Sequence, residues 1–324
     1  MTQQSDTSPR TKDDIRLLAV GRGKSLNLNR ILVPLNGFRR SEQILPFSSM
    51  LADWFYGEIT LFHSLPSTHP ARGARPGQVH YPDAPHDRGT ALAAAYLEEV
   101  VSRLGPHGVK SRWGVATGDA ALMITSRSAT SSFGLVAVAA TTRSRPHRFI
   151  SPGLLDNLWR TTAVPLLIVD PLHASLNGTQ PHAPETFIVP CSRGIDDPAL
   201  DIASAVAGAS RSSVKIVLAK SVSTGDTEDR IINKFANNGI TVDIVSSEKN
   251  MARQVKELQA NNSGSWTIVG SRMRSGLRRS IFGSTGDMLA RESVGPIVVV
   301  PDPKVMLQRK RSAQEATRNM AASL

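Results

Sequence analysis

The chain repeats itself, and that repeat limits its folds more than any other feature. VPLNG at 33–37 lies over VPCSR at 189–193, and LVAVAATTR at 135–143 over SWTIVGSRM at 265–273. TAVPLLIVDP at 162–171 lies over ESVGPIVVVPDP at 292–303. Each matched piece carries a short apolar run rich in β-branched residues, closed by turn-forming residues, which reads as a strand. Between the runs, apolar residues recur at helical spacing. Ile44, Leu45, Phe47, Met50, Leu51 and Trp54 are one example; Leu92, Ala95, Leu97, Val100, Val101 and Leu104 are another. Strands alternating with helices, twice over, argue for parallel α/β units. Runs apolar at every position are buried on both sides, so helices should cover both sheet faces. At roughly 150 residues per domain, the 324 residues make two domains.

The expected organisation is a polar tail over 1–29, a first domain over 30–171, a linker over 172–184, a second domain over 185–303 and a basic tail over 304–324. In the first domain, strands are expected at 31–35, 59–63, 109–115, 135–140 and 165–169. Helices are expected at 41–54, 90–104, 119–129 and 153–160. Residues 64–88, rich in Pro, His, Gly and Arg, read as a loop. The second domain has the same rhythm. Its strands fall at 187–190, 214–219, 240–245, 266–270 and 296–300, and its helices at 197–209, 227–237, 251–260 and 284–291. Residues 171–184 hold Pro171, Asn177, Gly178, Pro181 and Pro184, a linker composition.

Composition narrows the function classes. Aromatics make up only 5% of the chain, so the cores should be built from Val, Ile, Leu and Ala. One cysteine, Cys191, excludes an internal disulfide and fits a reducing compartment. After a strand it reads as a small buried hydrophobe. No run is long and apolar enough to cross a membrane, and the N-terminal stretch lacks the apolar core of a secretory signal. The expectation is a soluble cytoplasmic protein. GRGKS at 21–25 has the end of a phosphate-binding P-loop, but the required first glycine falls on Leu18. The net charge of +11 favours anionic partners without naming one.

The last third of the second repeat is the most specific segment. VGSRMRSGLRRSIFGSTGDMLARESVGPIVVVP, residues 269–301, resembles the signature of the universal stress protein family. In that family the fourth strand ends in Gly, followed by two residues, Gly, nine residues, and Gly with Ser or Thr. Here Gly270 is the first glycine, Met273 stands for the second, and Gly283-Ser284 closes the motif at the family's spacing. With the duplication, the resemblance covers residues 30–170 and 185–303. It implies a Rossmann-like fold, of the kind shared with adenine nucleotide alpha hydrolases: two tandem five-stranded, mostly parallel sheets with helices on both faces. It also implies that the closing strands, Pro165–Val169 and Pro296–Val300, pair the domains into an internal pseudo-dimer, and that the chain can form a homodimer.

The chemistry of such a loop stands on its own. A helix starting at Ser284 offers free N–H groups and the positive end of its dipole, which suit phosphate. Glycine lets backbone approach a ligand closely. Ser284 and Thr285 supply hydroxyls, and Arg272, with Arg274, Arg278 and Arg279, supplies positive charge. The resemblance makes Ser192, Gly270, Arg272, Gly283, Ser284 and Thr285 the candidate nucleotide site and ATP or AMP the candidate ligand. The alternative for these residues is a turn, an N-cap and a solvated loop.

Departures from the family weaken that site. ATP-binding members carry an Asp after the first strand that recognises the nucleoside; here Asn36 and Ser192 stand in its place. In the first copy Ala140, Arg143 and Gly153-Leu154 replace the motif, so that copy is read as degenerate. The family implies binding coupled to conformation or partner choice in a stress response, and not catalysis. The competing reading is an interaction scaffold of the same fold that has lost its nucleotide. Related adenylating and pyrophosphatase folds carry a Ser- and Gly-rich loop after the first strand, which NGFRRSE at 36–42 is not.

The remaining constellations are weak. His69, His80 and His86, with Asp83 and Asp87, match no metal-ligand spacing, and no metal is expected. No nucleophile–base pattern names a catalytic residue. The basic tail holds five Lys or Arg against one Glu and no aromatic residue. It offers no platform for base stacking and reads as solvated or weakly helical, arguing against a nucleic-acid partner.

Overall fold

The computed structural model describes residues 28–67, 84–140, 154–171, 182–247, 250–271, 289 and 295–322. In the first half the strands are β1 (Arg30–Pro34), β2 (Glu58–Leu65), β3 (Lys110–Thr117), β4 (Leu135–Ala139) and β5 (Leu166–Val169). Its helices are α1 (Leu45–Trp54), α2 (Ala84–Leu104), α3 (Ala120–Thr130) and α4 (Leu154–Thr161). The second half carries β6 (Thr186–Cys191), β7 (Ser213–Ala219), β8 (Val242–Ser247), β9 (Trp266–Gly270) and β10 (Ile297–Val300). Its helices are α5 (Ala199–Ser210), α6 (Gly225–Ala236) and α7 (Met251–Asn261), followed by a long C-terminal helix, α8 (Pro303–Ala322).

All the described strands form one mixed sheet in the order β3-β2-β1-β4-β5-β10-β9-β6-β7-β8. Every pairing within a half is parallel; β5 and β10 alone pair antiparallel, Leu167 opposite Val298. The expected Rossmann-like α/β fold is thus present in each half. The two expected sheets are, however, one continuous sheet, because the edges left by β5 and β10 satisfy each other's backbone groups.

Two cores lie on opposite faces of that sheet. Alternation along β5 shows the division: Leu167 and Val169 face one core, Leu166 and Ile168 the other. The first core takes residues of α1, α2, α5 and α6, and the second takes residues of α3, α4 and α7. Each core runs from one half into the other without a break. The expected aliphatic composition holds for most of their length. Aromatic rings cluster at the junction, where Phe47 and Trp54 of α1 meet Phe187 and Trp266 of the second half at ring-centroid distances of 5.7–6.4 Å. Trp266 is 1% exposed and stands at the centre of that cluster, while Phe62, Phe133, Trp159 and Phe235 are buried elsewhere in the cores.

Two expectations are corrected. The 64–88 loop gives way to helix at Ala84, because Pro85 sits in a first turn, where its missing N–H costs nothing. The C-terminal tail, expected to be solvated or weakly helical, is a 20-residue helix with one face partly buried. It packs along α3 of the opposite half. Val305, Met306, Arg309 and Ala313 recur at helical spacing and are partly buried. The inward Arg309 is what hides this pattern in the sequence.

Candidate functional site

Each half has a point where successive connections leave the sheet in opposite directions, and such switch points are where open α/β sheets bind ligands. In the second half it lies between β6 and β9. The two strands pair only at Phe187–Trp266 and Ile188–Thr267 and then part, although β6 continues to Cys191 and β9 to Gly270. In the first half β1 and β4 pair at Ile31–Leu135 and Leu32–Val136 and part in the same way.

Of the candidate residues, Ser192 and Gly270 flank the second switch point, as the repeat alignment requires. Arg272, Gly283, Ser284 and Thr285 lie outside the described residues, as does the expected helix at 284–291 apart from Leu289. The site's floor is therefore what the structure shows.

That floor contains a residue that sequence reasoning treated only as a helix start. Asp197 is 4% exposed. Its Oδ2 accepts the Ser192 amide at 3.3 Å, and its Oδ1 accepts the Ala199 amide at 3.1 Å in the first turn of α5. The same Oδ1 would stand 2.3 Å from a Cβ placed on Gly270. Gly270 is thus needed for close approach, but the group that approaches it here is the chain's own carboxylate. The signal was available in Asp-Pro before an apolar run, a helix-start pattern; what it could not reveal was the carboxylate's reach back to β9.

Above the floor, Arg193 Nη1 donates to Asp302 Oδ2 at 2.8 Å. Arg193 lies just past β6 and Asp302 just past β10, with β9 between those strands, so the pair spans the end of β9. Burial alone would raise the Asp302 carboxyl, but the Arg193 hydrogen bond, the Lys304 amide and the positive charges of Arg193 and Lys304 hold it below its ordinary value. Cys191, fully buried at the end of β6, has its thiol pushed up to about 12 by burial and then by the Asp197 charge, so it stays protonated. This agrees with its reading as a structural residue.

The first switch point is built differently. Asn36 closes a turn, its Oδ1 accepting the Phe38 backbone N–H at 3.1 Å and its own backbone N–H donating to Ser41 Oγ at 3.3 Å. Gly37 sits at φ 81°, a conformation that favours glycine. Ala140, 4% exposed, directly follows β4. His63, on β2, is half-buried; burial lowers its pKa despite an opposing backbone hydrogen bond with Leu35. Its Nδ1 is buried without a hydrogen-bond partner. Among the described residues no group of three or more His, Cys, Asp or Glu is placed to hold a metal ion. Among them, too, no helix is long and apolar enough to cross a membrane.

Comparison with known proteins agrees with this geometry. The model of the Universal stress protein family matches residues 197–301, from Asp197 through β10. A universal stress protein from Archaeoglobus fulgidus superposes with a TM-score of 0.67 at 17% identity, over 85% of this chain and 99% of its own. A functionally unknown protein from Pseudomonas aeruginosa superposes with a TM-score of 0.61 at 14% identity, over 90% of this chain and 98% of its own. At these identities the two structures speak for the fold alone. No curated protein sequence matches the chain. The match to the universal stress protein family thus falls at residues 197–301 of the second half, and the first half repeats the second half's strand order.

Proposed function

We propose that the protein is a stress-response regulatory protein that binds an adenine nucleotide, ATP or AMP, in its second half without turning it over. In this reading residues 30–171 and 185–303 are two domains joined as an internal pseudo-dimer, working in the cytoplasm. The observation that carries it is the parting of β6 and β9 at a switch point, with Gly270, inside the family-matched segment, at one lip and Ser192 and Arg193, just before that segment, at the other. Loop residues Arg272, Gly283, Ser284 and Thr285 would hold the phosphates in this reading.

A second reading is supported by a different observation. The Asp197 carboxylate lies against Gly270, and Arg193 is engaged by Asp302, so two groups of the floor are satisfied internally. A negative charge there disfavours phosphate close to β9. That arrangement suits a scaffold that uses the fold without a nucleotide.

Calorimetric titration of the full chain with ATP and AMP, up to about 1 mM, separates the two. The first reading expects saturable binding at one site, lost in Gly283→Val, with the ATP recovered intact. No heat with either nucleotide would overturn it and leave the scaffold.

A further inference from the structure

We propose that α8 is a strut that transmits the state of the second switch point to α4 in the first half. The two ties that make it so lie close together. Asp302, one residue before α8, holds Arg193 at the lip of the second crevice at 2.8 Å and also accepts the Lys304 amide at 2.9 Å, capping the helix. Seven residues on, about 10 Å along the axis, Arg309 donates from Nη1 to the Thr162 carbonyl at 2.5 Å and from Nη2 to the Trp159 carbonyl at 3.2 Å. Those carbonyls belong to the C-terminal end of α4, where a cation complements the carbonyl oxygens and the helix dipole.

The rest of the helix lies on α3, whose Thr125 Oγ1 is 2.8 Å from Thr161 Oγ1 of α4. One rigid helix therefore grips the first half while its N-terminal cap is shared with Arg193. Anything that draws Arg193 away from Asp302 removes one of the restraints on that cap. The strut does not depend on a nucleotide being what draws it.

Hydrogen–deuterium exchange on the full-length protein tests this. Arg193→Met breaks the ion pair but leaves the Asp302 cap on Lys304. The proposal expects roughly two- to fivefold faster exchange in α8 and in the 154–164 segment of the first half, the range a partly exposed ion pair commands. Reciprocally, Arg309→Met should speed exchange over 191–199. Lys234→Ala removes another second-half pair, Lys234–Asp201 at 2.6 Å, and should leave α4 and α8 unchanged. The proposal is overturned if Arg193→Met alters only its own neighbourhood, or if Lys234→Ala speeds α4 equally. It is also overturned if exchange near Arg193 is indifferent to Arg309→Met.

Discussion

At the scale of single residues, the second switch point is organised by a carboxylate pressed against a glycine. Asp197 gives up hydration to accept two backbone amides, and the missing Cβ of Gly270 makes the room. Gly270→Ala would place a methyl 2.3 Å from Asp197 Oδ1, so the carboxylate must turn and lose at least one amide. The expected cost is about 1–3 kcal/mol, read as a lower urea midpoint with an unchanged slope; a wild-type midpoint would mean that Asp197 does not lie where it is described. His63 gives a second expectation at this scale. Its pKa is lowered in the fold, so the folded protein binds fewer protons than the unfolded chain between that lowered value and about 6.5. Stability should therefore rise with pH through that window and be fully penalised below it. His63→Gln should flatten the rise in denaturation midpoint as pH climbs towards about 6.5; an unchanged slope would assign the dependence elsewhere. Of these residues the sequence marked Gly270 and Ser192 through the repeat and the family spacing. It could not mark Asp197 as part of the floor, because contact between the start of α5 and the end of β9 is a tertiary fact.

At the scale of elements, strands were the most legible. Runs such as LVAVA and LLIV are apolar throughout because both faces are covered, and no polar neighbour blurs them. Helices α1, α3, α5 and α7 were legible through their spacing, and α3 is capped as its sequence suggests, Asp119 Oδ1 accepting the Leu122 amide at 2.9 Å. The failure was α8. Its buried face is thin, Val305, Met306 and Ala313 around an arginine, and a cation in that position reads as solvated. It is buried because α4 ends beside it, with the Thr162 and Trp159 carbonyls accepting its guanidinium. Desolvation lowers the Arg309 pKa to about 10, which still leaves it charged at neutral pH. Partners fixed by the fold, and not by local sequence, decide which cations face inward.

At the scale of the molecule, the repeat has been built into one body. The β5–β10 ladder, two cores that cross from half to half, the Phe47–Trp54–Phe187–Trp266 cluster and the returning α8 all join the copies. The sequence showed the duplication clearly, but a repeat does not say whether its copies are independent. A half on its own would expose the faces of Phe187 and Trp266 and the edge of β10. This unity is what would let an event at one switch point be felt in the other half, the property a regulatory binding protein needs. Differential scanning calorimetry of the full chain tests it most directly. One transition is expected, with the calorimetric enthalpy equal to the van't Hoff enthalpy. Two resolved transitions, or a calorimetric enthalpy about twice the van't Hoff value, would show that the halves unfold independently and would contradict the account.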